Sequence, residues 1–141
     1  SVVAVKEASG DLGQMAEVLQ RVVRAADQPF YVVSGDDALT LPLMAIGGHG
    51  VVSVASNLVP ERMVAMVEAA RTGDFAAARE IYFELLPIFQ VAFVESNPVP
   101  IKAAMNLCGI PVGSVRSPLA PLTEASQARL ENVLRETGLI D

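Results

Sequence analysis

Three short runs share one design: VVAVKEASG (residues 2–10), FYVVSGDD (30–37) and GVVSVASN (50–57) are β-branched and apolar, and each ends in small or polar residues. Continuous apolarity, rather than alternation, is the pattern of a parallel strand buried on both faces. Between the first two lies DLGQMAEVLQRVVRAA, in which Asp11 is placed to cap a helix. Leu12, Met15, Leu19, Val22 and Val23 form an apolar stripe along it at helical spacing. Between the second and third, DDALTLPLMAIGGHG predicts a short helix constrained by Pro42 and closed by Gly47 and Gly48. Strand, helix, strand, helix, strand is the order of βαβ units with right-handed crossovers.

After Asn57 the strand signals stop. VPERMVAMVEAARTG predicts a helix that starts at Pro60 and ends at Gly73, with Met63, Met66, Val67 and Ala70 facing inward. Asp74 is placed to cap DFAAAREIYFELLPIFQVAFVES, a long helix that Pro87 should kink rather than end. NPVPIKAAMNLCG reads as a short helix, VRSPLAPL as an extended linker, and EASQARLENVLRET as a last helix capped by Thr123 and stopped by Gly138. The chain therefore divides near Gly73 into an α/β part (1–73) and an all-helical part (74–141).

Parallel strands with two apolar faces need cover on both, and an open strand edge invites another chain. The strand spacing fits an eight-fold β/α barrel, a fold of about 250 residues, and three strands plus helices make its C-terminal portion. On this reading the remaining strands belong to N-terminal chain beyond these 141 residues. The sequence opens inside a strand, without Met, and reads as a fragment that self-associates when isolated. Composition agrees: 52% of residues are hydrophobic, 18% are charged and the mean hydropathy is +0.43, high for a short chain without a membrane span. No apolar run nears the roughly 18 residues a bilayer requires. No signal-peptide pattern is present, and the single cysteine excludes an internal disulfide, so a cytoplasmic location is expected. The net charge of −6, without clustered Lys or Arg, argues against nucleic acid.

Lys6 ends the first apolar run. In a β/α barrel the carboxyl ends of the strands carry the active site. An ammonium group in an apolar barrel mouth is disfavoured, and a neutral amine there can attack a ketone to form a Schiff base, an electron sink for making or breaking carbon–carbon bonds. The alternative is a lysine that extends its ammonium past the strand end into water. Position alone leaves both readings open.

Lys6 within VKEASGD, SGDD (34–37), GGHGVVSV (47–54), FVESNPVPIKAAM (93–105) and PLAPL (118–122) occur in that order. Together they resemble the pyruvate-dependent class I aldolase family, and within it the dihydrodipicolinate synthases, over essentially the whole chain. The resemblance implies that Lys6 forms the Schiff base with pyruvate. It implies that the backbone of Val52 contacts the bound pyruvate, at a position usually occupied by Ile, and that Gly35 lines the pocket. It further implies condensation of pyruvate with aspartate semialdehyde in lysine biosynthesis by the diaminopimelate route, in a cytosolic homotetramer whose only cofactor-like state is the covalent adduct. The family's tyrosine proton relay, carboxylate-binding threonines, substrate-binding arginine and lysine feedback site all precede the Schiff-base lysine, so none falls in these residues and the chain alone is expected to be inactive. Rival readings are another aldolase on the same scaffold, a sialic-acid lyase or a 2-keto-3-deoxy sugar acid aldolase, and a non-catalytic, self-associating fragment. NPVPIK and PLAPL favour the synthase.

Other chemistry-bearing residues have plainer readings. His49 lies in a glycine-rich turn where local backbone can satisfy it, and one histidine makes no metal site. Asp36 and Asp37 are either a paired-carboxylate acid/base site or helix caps. Cys108 reads as a small buried hydrophobe, Tyr82 as a packing residue beside Phe83 and Leu86, and Lys102 as structural.

Overall fold

The computed structural model describes residues 2–141. Strands β1 (Ala4–Glu7) and β2 (Tyr31–Ser34) pair in parallel, with Lys6 opposite Val33 and Glu7 opposite Ser34. Hydrogen bonds from Tyr31 N to Val3 O (2.9 Å) and from Gly35 N to Glu7 O (2.6 Å) extend the ladder at both ends. The third apolar run lies along the other side of β2, also in parallel, but joins it through one bridge, Ser34 to Val51. Ser34 N donates to Gly50 O and Val52 N donates to Ser34 O, both at 2.8 Å. The run stays short because Gly50 sits at φ +143° on one side of the bridge and the chain tightens into a 3₁₀ turn at Ala55–Asn57 on the other.

Helix α1 (Leu12–Val18) begins at Asp11, whose carboxylate accepts from Gly13 N and Gln14 N. It continues as a π-helical turn over Leu19–Val23. The expected stripe is kept only in part: Met15 and Leu19 are buried and Val23 packs against the core, whereas Leu12, at the open start of α1, is exposed and Val22, in the wider turn, is rotated out to solvent. Helix α2 (Thr40–Ala45) holds Pro42 in its first turn, where a missing N–H is harmless. Gly48 is packed so closely on Leu43 that a methyl group there would overlap the leucine side chain.

Met15, Leu19, Val32 and Leu43 form the core between these helices and one face of the sheet. The opposite face carries Ala4, Lys6, Ala8, Tyr31 and Val52, all exposed. The apolar runs predict cover on both faces, and within the described residues only one has it. The uncovered face is the one a closed barrel turns inward, which needs further strands to complete it.

Pro60 occupies the first turn of α3 (Pro60–Arg71), and Gly73, at φ +87°, reverses the chain into α4 (Phe75–Val91). Pro87 lies inside α4 without ending it. Helices α5 (Val99–Leu107) and α6 (Glu124–Glu136) follow, the latter capped by Thr123 Oγ1 on Ser126 N. A large apolar core unites Met63, Met66, Leu85, Phe89, Ile101 and Leu134, so residues from both sides of Gly73 share it. Arg62 pairs with Glu84 across α3 and α4. The Asp74 carboxylate accepts from Ala77 N at 3.0 Å. Asp74→Ala is therefore expected to destabilise the protein by about 1 kcal/mol, read as a lower denaturant midpoint with an unchanged slope.

Candidate functional site

Lys6 stands one residue before the carboxyl end of β1, on the uncovered face. Strand alternation sends its neighbour the other way: Glu7 is 6% exposed, and its Oε1 accepts from Ser9 N (3.1 Å) and Gln14 Nε2 (2.9 Å). The carboxylate adjacent in sequence is thus turned away from the amine. Among the described residues Lys6 Nζ has no hydrogen-bond or ion-pair partner, and its side chain is open to solvent, so the shielding expected of a barrel mouth is absent from these residues.

Gly35 follows β2 directly and backs the lysine stem. A Cβ built on Gly35 would lie 2.9 Å from Lys6 Cε and closer still to the methyl of Ala8. Only hydrogen at that position avoids overlap with the Ala8 methyl, and the lysine stem runs past the space it leaves. The loop carrying Gly35 is held firmly. Ser34 Oγ donates to Asp36 O (2.6 Å) and accepts from Asp36 N (3.1 Å), while Thr40 Oγ1 donates to Asp36 O (3.2 Å). Tyr82 Oη donates to Ala38 O at 3.0 Å, linking the loop to α4.

Val52 lies on the strand-like segment beside β2. Its N–H is used by Ser34 O, whereas its carbonyl accepts no hydrogen bond among the described residues, and the side chain is half-exposed. Lys6, Gly35 and Val52 therefore occupy three adjacent parallel segments at one end of the sheet: an amine, a space without a side chain, and a free carbonyl. At such a place the amine can attack a small carbonyl compound, and the Val52 carbonyl can accept from the N–H or O–H that the addition creates.

The two aspartates divide their labour. Asp36 caps the 3₁₀ turn Asp37–Leu39, its Oδ1 accepting from Ala38 N at 2.8 Å. Asp37 does not cap its own turn. It is 1% exposed, and its Oδ2 accepts from Val54 N (3.0 Å) and Ala55 N (2.9 Å), in the loop after Val52. This cross-link is invisible in the sequence, because the partners are backbone amides 17 and 18 residues away. The only signal was a second acidic residue just after a strand.

The plainer readings hold with two changes: the backbone that satisfies His49 lies 17 residues away on β2 rather than locally, and Cys108 is only partly buried. His49 Nδ1 accepts from Val32 N at 3.1 Å and the ring meets Tyr31 edge-on. Tyr82 packs edge-to-face on Phe83 and Phe89, and burial, then the charge of Asp36, pushes its phenol up. Partial burial likewise pushes the Cys108 thiol up, which makes it a poorer nucleophile. Lys102 Nζ donates to Ser114 O at 2.6 Å and ties down the linker. Among the described residues no group of three or more His, Cys, Asp or Glu side chains is placed to hold a metal. No helix of the described residues is long and apolar enough to cross a membrane.

Parallel strands joined through helices, with a lysine at a strand's carboxyl end and a helical tail, define part of a β/α-barrel enzyme. The sequence model of the dihydrodipicolinate synthetase family matches residues 1–137, and the chain belongs to that family. It is 45% identical over 141 residues to the 4-hydroxy-tetrahydrodipicolinate synthase of Methanosarcina barkeri, covering 100% of this chain and 47% of that protein. It superposes on the crystal structure of dihydrodipicolinate synthase from Thermotoga maritima with a TM-score of 0.93 and 40% identity, covering 99% of this chain and 47% of that one. The chloride-inhibited Acinetobacter baumannii enzyme complexed with pyruvate matches with a TM-score of 0.89 at 31% identity, over 99% and 46%. The chain thus spans about half the length of the relatives it matches. Its fold is the C-terminal portion of a β/α barrel followed by a helical extension.

Proposed function

We propose that this chain carries the Schiff-base lysine of a 4-hydroxy-tetrahydrodipicolinate synthase, a lyase that condenses pyruvate with aspartate semialdehyde on the diaminopimelate route to lysine. The observation that carries the reading is the unpaired Lys6 amine at the end of β1, its stem against Gly35 and the open Val52 carbonyl one segment beyond.

In this mechanism neutral Lys6 Nζ adds to the keto carbon of pyruvate, and loss of water gives an iminium ion. The positive nitrogen draws electrons from the neighbouring methyl, which loses a proton to become an enamine. The enamine carbon bonds to the aldehyde carbon of the semialdehyde, whose oxygen takes up a proton. Attack by an amine or water on the iminium then frees Lys6. Gly35 leaves room for the adduct, and Val52 meets it through the main chain. The proton relay and carboxylate-binding groups belong, by family resemblance, to residues preceding Lys6. No cofactor beyond the covalent adduct is needed, and assembly as a cytoplasmic homo-oligomer is part of the same proposal.

Treating the protein with pyruvate and borohydride should yield a reduced pyruvyl adduct on Lys6, located by peptide mass spectrometry, and Lys6→Arg should abolish it. A wild-type protein that acquires no adduct, or acquires it at Lys102, would refute the assignment. The exposed sheet face, with Tyr31 and Val52 open to solvent, favours one second reading, a self-associating fragment without turnover. Adduct formation without condensation activity would single it out.

A further inference from the structure

Asp37 is buried, it is charged chemistry the mechanism above does not use, and its second oxygen, Oδ1, has no partner among the described residues. A carboxylate so placed needs a reason, since burying it is unfavourable unless its hydrogen bonds repay the loss of water. Its two bonds give the reason. Val52 is anchored upstream by its own N–H on Ser34 O, and two and three residues downstream by Val54 N and Ala55 N on Asp37 Oδ2. Both anchors come from β2 and the loop behind it, the same loop that carries Gly35. The Val52–Ser53 peptide is therefore stretched between two fixed points, and its unpaired carbonyl has its direction set by them. Ser53 Oγ reinforces the second anchor by accepting from Ser56 N at 2.8 Å.

We propose that Asp37 is a positioning residue: by holding the amides of Val54 and Ala55 it sets the Val52 backbone against pyruvate bound at Lys6, and couples that contact to the Gly35 loop. This rests on the pyruvate reading given above. Bonds to an ionised acceptor are roughly twice as strong as neutral ones, so a carboxylate holds this turn where an amide would hold it weakly.

The test compares wild type with Asp37→Asn and Asp37→Ala, measuring borohydride trapping at Lys6 across pyruvate concentrations together with hydrogen exchange of the 52–55 amides. Asp37→Asn retains an oxygen acceptor and is expected to fold. It should speed exchange at Val54 and Ala55 about tenfold and raise the half-saturating pyruvate concentration about three- to tenfold. The trapping rate at saturating pyruvate should stay within about twofold, because Lys6 itself sits on β1 and is not moved. Asp37→Ala should change the same two quantities further, and if it does not fold, Asp37→Asn decides alone. Faster exchange with an unchanged half-saturating concentration would make Asp37 merely structural and overturn the proposal. So would a lower saturating rate at constant half-saturation, or no change in either quantity. A wild-type protein that never traps pyruvate at Lys6 removes the Proposed function itself and this inference with it, whereas normal wild-type trapping with indifferent Asp37 variants removes only the inference.

Discussion

Gly35→Ala is expected to lower the rate of pyruvyl-adduct trapping at Lys6 by about a hundredfold and to destabilise the protein by about 1–3 kcal/mol, the cost of an overpacked contact. The added methyl would stand 2.9 Å from Lys6 Cε and overlap Ala8. The lysine stem and strand β1 must shift to relieve it, and a displacement of about 1 Å at a reacting group is worth about 10²-fold. Gly35 is not in the left-handed region, so alanine meets no backbone strain there and the effect is purely one of space. The double change Gly35→Ala with Ala8→Gly removes one of the two colliding partners and should recover part of the rate. Trapping kinetics on the single and double variants, with circular dichroism to confirm folding, make the check. A Gly35→Ala protein that traps at the wild-type rate would mean that the amine works from a position other than the one described.

Leu134→Ala should destabilise the protein by about 2–5 kcal/mol, the range for emptying a leucine-sized site in a packed core. Leu134 is fully buried on α6 and belongs to the same cluster as Met66 of α3 and Leu85 of α4. Its side chain thus joins the helical tail to the helices nearer the sheet. Equilibrium denaturation gives the value; a loss below about 0.5 kcal/mol, the scale of surface changes, would show that α6 is not packed as described. The saturating trapping rate at Lys6 should survive in the folded fraction, since Lys6 lies on the far side of the sheet from this core. The contrast with Gly35→Ala separates packing from site geometry.

Much of this arrangement was readable from short-range chemistry. Asp11, Asp74 and Thr123 each accept from a backbone amide two or three residues ahead, and such caps are visible as a polar residue before an apolar period. Pro60 and Gly73 mark the ends of α3 for the same local reason. Lys6 at the end of an apolar run, and the small residue at 35, were legible as positions, and the family resemblance supplied their roles. The length of the third strand was less legible, because its pairing ends where Gly50 and a distant carboxylate bend the chain. The outward turn of Val22 was hidden too, since a π-helical turn leaves no mark in an apolar period of 3.6.

The order of strands and helices, their capped ends and the strand-end amine follow from the sequence by itself, because each depends on neighbours a few bonds away. Tertiary structure alone decided that Gly35 must lack a side chain and that Asp37 holds the turn beyond Val52. Those facts depend on segments brought together by sheet pairing, and side-chain contacts across a sheet are set by register and strand direction, which no local pattern encodes.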